Sequence, residues 1–313
     1  MRSKILSTTF LAIMACLLWS TAFVGVKIGL NYTTPLQFGG IRFFLAGLYI
    51  LPFCGNPKNS LRLIRQNWKQ VLRLGFFQTF LLYTCFYIGI SMVPASLTAI
   101  IIGANPLFSA ILAHFLLKDD RLSFRKLGSI SLGMAGVVII AASRESFSWT
   151  EGKEFWGILI LVVANIAGSI GNVVVVKYRD GLPPILLNSA QLMTGGLALF
   201  LLSIPFEGLS FGLNEFPYYV SLGWLSFMSA TAFSIWFVLL RRPGIKVSIL
   251  NVWKFLIPVF GAILSWIILP NEKPETIAVT GMLFITLSLI VLYANNLKKK
   301  HNLAEKDSVV RKE

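Results

Sequence analysis

Apolar stretches of bilayer-crossing length follow one another along almost the whole chain, at residues 6–27, 35–53, 71–90, 95–117, 126–142, 155–176, 184–205, 217–240, 247–269 and 276–296. Short polar connections separate them. Each can cross a hydrocarbon core of about 30 Å as a helix rising about 1.5 Å per residue. Lipid offers no partner to backbone N–H and C=O groups, so consecutive spans of this kind must satisfy those groups internally. The pattern therefore predicts an all-α polytopic membrane protein with ten transmembrane helices.

The last five spans repeat the first five. Ser20 and Ser169, Pro35 and Pro184, and Gly47 and Gly196 stand 149 residues apart, while Ser96 and Ser248, then Pro106 and Pro258, stand 152 apart. A slowly drifting offset is the mark of a duplicated unit with small loop changes. A five-helix unit has an odd number of crossings, so its second copy enters from the opposite side. The two repeats, 1–145 and 150–297, are thus inverted copies, with the boundary in the polar stretch 144–154. This is the arrangement of many secondary transporters. The remaining residues, 298–313, are charged without an apolar face and read as a cytoplasmic tail.

Composition agrees: 56% of residues are apolar and only 13% charged, against about 25% in soluble domains. The net charge of +15 would suggest nucleic acid, but the cations are dispersed between spans. With the N-terminus inside, 22 Lys and Arg fall on the cytoplasmic side, counting Arg73 and Lys126 at the inner ends of their spans, and three (Arg144, Lys153, Lys273) on the other. Lys27, Arg42 and Lys254 stay within spans, which accounts for all 28. The positive-inside rule then places both termini in the cytoplasm of a multi-pass protein of the cell membrane. The cysteines Cys16, Cys54 and Cys85 have no disulfide or metal-ligand spacing, and they read as inert thiols.

Several segments carry a resemblance. They are LLWSTAFVGVKIG (17–29) with Pro35, IRFFLAG (41–47), VPASLTAIIIGANPLFSAILAHFLL (93–117), LSFRKLGSISLGMAG (122–136) and VSILNVWKFLIPVFGAILSWIILPNEKP (247–274). Together they resemble the EamA-type transporters of the drug/metabolite transporter superfamily. The resemblance implies a ten-helix carrier with a central cavity, working by alternating access and often exporting amino acids or other small metabolites. The family's Gly-Glu turns after the fourth and ninth helices here read Lys118-Asp119-Asp120 and Asn271-Glu272-Lys273. These acids are expected to be exposed.

All thirteen acids fall in loops or the tail, which disfavours a buried carboxylate exchanging protons for cationic drugs. The intramembrane ions are cations instead. Lys27 lies near the outer end of its span and can snorkel to water. Arg42 lies about 10 Å inside the outer end of the second span. It is a candidate gate residue, with a structural role, capping a neighbour's carbonyls, as the favoured reading. Lys254 shares a helix face with Asn251, Pro258, Gly261 and Ser265, at i+3, i+4 and i+7 steps. It should face the interior, as a substrate contact would; snorkelling is the plain alternative.

Asn105, Asn172 and Gln191 are candidate polar contacts, and interhelical hydrogen bonding explains such amides as readily. Trp19, Tyr83 and Trp236 are candidate wall residues of an amphipathic cavity, although aromatics in spans more often pack against lipid or neighbours. Pro106 and Pro258 leave backbone carbonyls free near the middle of paired helices and are candidate hinges.

No Walker loop, metal cluster or cofactor motif occurs, and no enzymatic role is expected. The sequence therefore reads as a secondary, non-ATP transporter that moves a small metabolite, such as an amino acid or amphipathic compound, outward across the plasma membrane. The alternative is a polytopic sensor or scaffold that binds a ligand without moving it. The expected partners are a small-molecule substrate and the lipid bilayer, with no nucleic acid; a homodimer is compatible but not required.

Overall fold

The computed structural model describes residues 2–93, 95–142, 153–178, 181–209, 215–268 and 276–292. It is 87% helix, and no strand occurs among the described residues. Among the described residues nine helices are long and apolar enough to span a membrane: α1 (Thr8–Gly29), α2 (Pro35–Phe53), α3 (Trp68–Ile90), α4 (Thr98–Leu116), α5 (Phe124–Ala142), α6 (Lys153–Lys177), α7 (Pro184–Glu207), α8 (Phe216–Leu240) and α9 (Val247–Leu264). The tenth, α10 (Thr276–Leu292), is a shorter apolar helix. Residues 293–313, which include the end at 296 read from the sequence and the tail, lie outside the described residues. So does the boundary stretch, except for Lys153 and Glu154.

Pseudo-equivalent prolines begin α2 and α7, each at the first helical position. There the missing N–H costs nothing and the fixed φ suits the helix. The connection between α2 and α3 is itself partly helical. Asn56 accepts from the backbone N–H of Lys58 at 3.0 Å and caps a short helix, Pro57–Gln66, whose Lys58, Arg62 and Arg65 are exposed.

Small residues bring the repeats together. A methyl added at Gly47 would lie 2.8 Å from the carbonyl oxygen of Ser189, and one at Gly196 would lie 2.9 Å from that of Gly40. Gly40 and Ser189 are themselves 149 apart, so the α2–α7 contact is reciprocal about the pseudo-twofold. Gly136 and Gly281 do the same between α5 and α10, each facing the other's carbonyl. Beside them Ser129 Oγ donates to the Ser288 carbonyl at 2.8 Å and Ser288 Oγ to the Ser129 carbonyl at 2.7 Å. Without a hydrophobic drive between helices in lipid, such close approach supplies the dispersion and hydrogen bonds that hold a bundle.

Four spans are irregular. α1 bends at Thr21, where the Ser20 and Thr21 hydroxyls each donate to a carbonyl three residues back, both at 2.7 Å. α3 holds a π-helical stretch, Gly75–Leu81. α4 is interrupted at Ala104 and resumes at Asn105, with Pro106 next. α9 tightens into a 3₁₀ turn, Trp253–Phe255, and resumes at Leu256, two residues before Pro258.

Two acids tie the halves at helix starts. Glu207, ending α7, accepts from the backbone N–H groups of Leu36 and Gln37 at 3.0 and 3.1 Å, where the positive end of the α2 dipole favours a carboxylate. Asp120 does likewise for α9, accepting from the Ser248 N–H at 2.8 Å and from its hydroxyl. Lys126 Nζ pairs with Asp120 at 2.6 Å. The expectation that the acids after α4 are exposed is corrected for Asp120, which is 3% exposed. A carboxylate with two backbone-and-hydroxyl donors and an ammonium at hand can be buried. Glu272 lies outside the described residues.

Candidate functional site

The interruptions of α4 and α9 face each other, and polar chemistry concentrates between them. Lys254 Nζ, in the 3₁₀ turn of α9, donates to Asn105 Oδ1 at 3.0 Å. Asn105 is the first residue after the break in α4. The same ammonium lies 5.0 Å from the ring centroid of Trp236 on α8 and 5.7 Å from that of Trp19 on α1. Those rings meet edge to face, with centroids 5.1 Å apart. Both fall within the distance at which a ring's quadrupole attracts a cation. Lys254 is thus held by α1, α4 and α8 rather than directed to the membrane surface, and it keeps partial exposure while Trp236 and Asn251 are fully buried. The 3₁₀ turn is pinned from below by Cys16 Sγ, which donates to the Trp253 carbonyl at 3.2 Å.

A second polar line runs from this point along α6. Asn105 Nδ2 donates to Ser169 Oγ at 3.4 Å, Ser169 and Ser109 share a hydrogen bond of 3.0 Å, and Asn165 Nδ2 donates to the Ile101 carbonyl at 2.5 Å. One turn on, Asn172 Nδ2 donates to Asn251 Oδ1 at 3.1 Å, and Asn251 Nδ2 donates back to the Val247 carbonyl at 2.9 Å. Asn172 Oδ1 and Trp236 Nε1 are buried and have no hydrogen-bond partner. Native proteins leave few such groups, and each calls for an explanation; a ligand that accepts and donates here is one. The central group is therefore Lys254, Asn105, Asn172, Asn251, Trp19 and Trp236, contributed by five helices from both repeats.

Three candidates from the sequence belong elsewhere. Gln191 is fully buried and committed to helix joining: its Oε1 accepts from Thr79 Oγ1 at 2.6 Å and its Nε2 donates to Asn188 Oδ1 at 3.0 Å. Asn188 passes the chain on to Ser234 at 3.0 Å. Tyr83 stacks on Phe43 with centroids 4.2 Å apart. Arg42, 4% exposed, lays its guanidinium 4.3 Å above the Phe43 ring and 5.7 Å from that of Tyr83, and its Nε has no partner. Tyr83 and Arg42 thus form a cation–aromatic cluster between α2 and α3, apart from Lys254. Pro106 and Pro258 both follow the helix interruptions. The Ser265 side chain lies outside the described residues.

The anchors Asp120 and Glu207 carry no local signal in the sequence, since their partners lie far along the chain. The proline that opens α2 signals a helix start, yet the acid that caps it lies 171 residues away.

The EamA-like transporter family model matches this chain twice, at residues 6–142 and 155–294. An uncharacterized transporter of Bacillus subtilis, YvbV, is 26% identical over 94% of this chain and 93% of its own length. An S-adenosylmethionine/S-adenosylhomocysteine transporter of Chlamydia muridarum is 23% identical over 88% of this chain and 86% of its own. A probable amino-acid metabolite efflux pump of Salmonella typhimurium is 28% identical over 52% of each. One crystal structure superposes with a TM-score of 0.80 at 18% identity, covering 93% of this chain and 98% of that one, which shows a shared fold.

Proposed function

The chain belongs to the EamA-like transporter family, and from that premise we propose that it is a secondary carrier exporting a small carboxylate-bearing metabolite, such as an amino acid, by alternating access. The observation that carries this reading is Lys254, an ammonium held between two interrupted helices and two indole rings, with no acid paired to it among the described residues. Discontinuous spans near the bilayer midplane are where many inverted-repeat transporters take up substrate. A substrate carboxylate would displace or share the Asn105 bond to Lys254, and the Trp236 N–H supplies a further donor. Trp19 and Trp236 would cover the apolar part of the molecule. Homologues described as transporting S-adenosylmethionine and as exporting amino-acid metabolites support a small polar substrate.

The carrier sits in the cell membrane with both termini cytoplasmic, supported by the one-sided distribution of its basic loops. A cytoplasm-dependent reporter fused after Lys300 is expected to be active; activity only of an exported reporter would reverse the orientation. Counterflow in proteoliposomes tests the substrate reading. Lys254→Met removes a charge-assisted hydrogen bond of about 1.5–3 kcal/mol, so carboxylate exchange should fall about 10- to 100-fold while insertion is kept. Lys254→Arg, which retains the charge, should retain binding. Undiminished exchange by the Met variant would sink the assignment. Saturable binding without counterflow by the unaltered protein would identify a sensor instead.

A further inference from the structure

Away from the central group, a cavity of about 680 Å³ opens where α3 begins and α6 ends. Among the described residues its lining includes Trp68, Lys69, Arg73, Lys177 and Tyr178, with three cations and no acid; residues 179 and 180 lie outside the described residues. Trp68 is the first residue of α3 and Lys177 the last of α6, so the cavity lies at the boundary between hydrocarbon and water. The floor is built. Gln70 Nε2 donates to the Tyr178 carbonyl at 3.1 Å, and Arg73 Nη1 donates to the Tyr178 hydroxyl at 3.0 Å. Arg73 is thereby tied to α6, while Lys69 and Lys177 are exposed, with the Lys69 ammonium 5.6 Å from the Trp68 ring centroid.

The surroundings are amphipathic. Trp68 is 52% exposed, and Leu72, one turn further along α3, is exposed too. An exposed Trp at a span end is at home among lipid headgroups. The short helix Pro57–Gln66 leads directly into this end of α3 and adds exposed Arg62 and Arg65. A free inorganic anion would use the cations alone. A phospholipid would use the cations for its phosphate and the apolar residues for its chains, and the volume falls within the roughly 300–1,000 Å³ usual for small-molecule sites.

We propose that this cavity is a binding site for one anionic phospholipid, whose phosphodiester is held by Lys69, Arg73 and Lys177 and whose chains lie along Trp68 and Leu72. The site is independent of the transport assignment. It joins α3 of the first repeat to α6 of the second, so an occupied site bridges the halves at the membrane surface.

Native mass spectrometry of the purified full chain, titrated with phosphatidylglycerol or phosphatidylcholine, tests this. Phosphatidylglycerol should be retained in preference to phosphatidylcholine. The double variant Lys69→Gln/Lys177→Gln should lose about thirtyfold in phosphatidylglycerol affinity, the combined effect of two cations near a membrane surface. Lys69→Arg/Lys177→Arg should retain it, which keeps the test decisive if the Gln variant fails to fold. Equal retention of the two lipids, or undiminished phosphatidylglycerol binding by a folded Gln variant, would overturn the proposal. Displacement of the lipid by millimolar inorganic phosphate would assign the cavity to a free anion and overturn it as well.

Discussion

The α2–α7 contact and the α4–α9 contact are pseudo-equivalent ways of joining the repeats, yet they are built from opposite materials. At α2–α7 the backbones meet through Gly40, Gly47, Ser189 and Gly196, and Ser189 Oγ donates to the Gly47 carbonyl at 2.7 Å. Both helices run without interruption through that contact. At α4–α9 both helices are broken, a proline follows each break, and a lysine of one donates to an amide of the other. Duplication supplied one unit twice; the buried polar groups of α2 and α7, Arg42 and Gln191, turn to Tyr83 and Thr79 of α3, whereas at α4–α9 Lys254 and Asn105 meet across the crossing itself. An unpaired Lys at a helix centre costs about 2.5–3.5 kcal/mol on insertion scales, which a mere joint would not require.

The sharpest way to break the contrast is to place bulk in the α2–α7 joint. A methyl at Gly40 would already lie 2.5 Å from the Phe200 backbone nitrogen, so neither partner can yield by rotating a side chain. Gly40→Leu is expected to cost more than the about 1–3 kcal/mol of ordinary overpacking and to abolish a monodisperse peak in size-exclusion chromatography. Gly128→Leu is the control, since nothing lies within 4 Å of a methyl there. Equal behaviour of the two variants would show that the α2–α7 contact is not the joint described here.

A smaller effect on folding and a selective one on transport is expected at the other crossing. Pro106→Ala with Pro258→Ala restores two backbone donors and favours regular helix across both interruptions. Counterflow should slow several-fold, while the thermal unfolding midpoint changes little. If the double variant exchanges normally, the breaks position Lys254 without serving as hinges.

Much of this was legible in the sequence, and the exceptions share a cause. Span limits, the repeat and the inward direction of Lys254 follow from hydropathy and from the i+3 spacing to Asn251, both local signals. The amides were ambiguous for a physical reason: Gln191 and Asn105 carry equivalent donors and acceptors, and only tertiary partners separate the one that joins helices from the one that holds Lys254. Asp120 departs from the exposed position expected of it because a carboxylate in a polar turn is solvated by default, and its partner Ser248 lies 128 residues on. The helix Pro57–Gln66, which opens at Asn56-Pro57, falls in a connection when only span length is considered.

The reciprocal glycine contact has a consequence for how the chain is made. When synthesis has produced only α1 to α5, the Gly40 and Gly47 face of α2 has nothing to meet, because α7 does not yet exist, and Asp120 waits for an α9 still to be translated. The first half must therefore persist in the bilayer as an unfinished object, its narrowest and most exacting surface turned to lipid, until its mirror-related successor arrives. A chain cut at its own midpoint would divide the sequence evenly and leave neither piece with a complete interior.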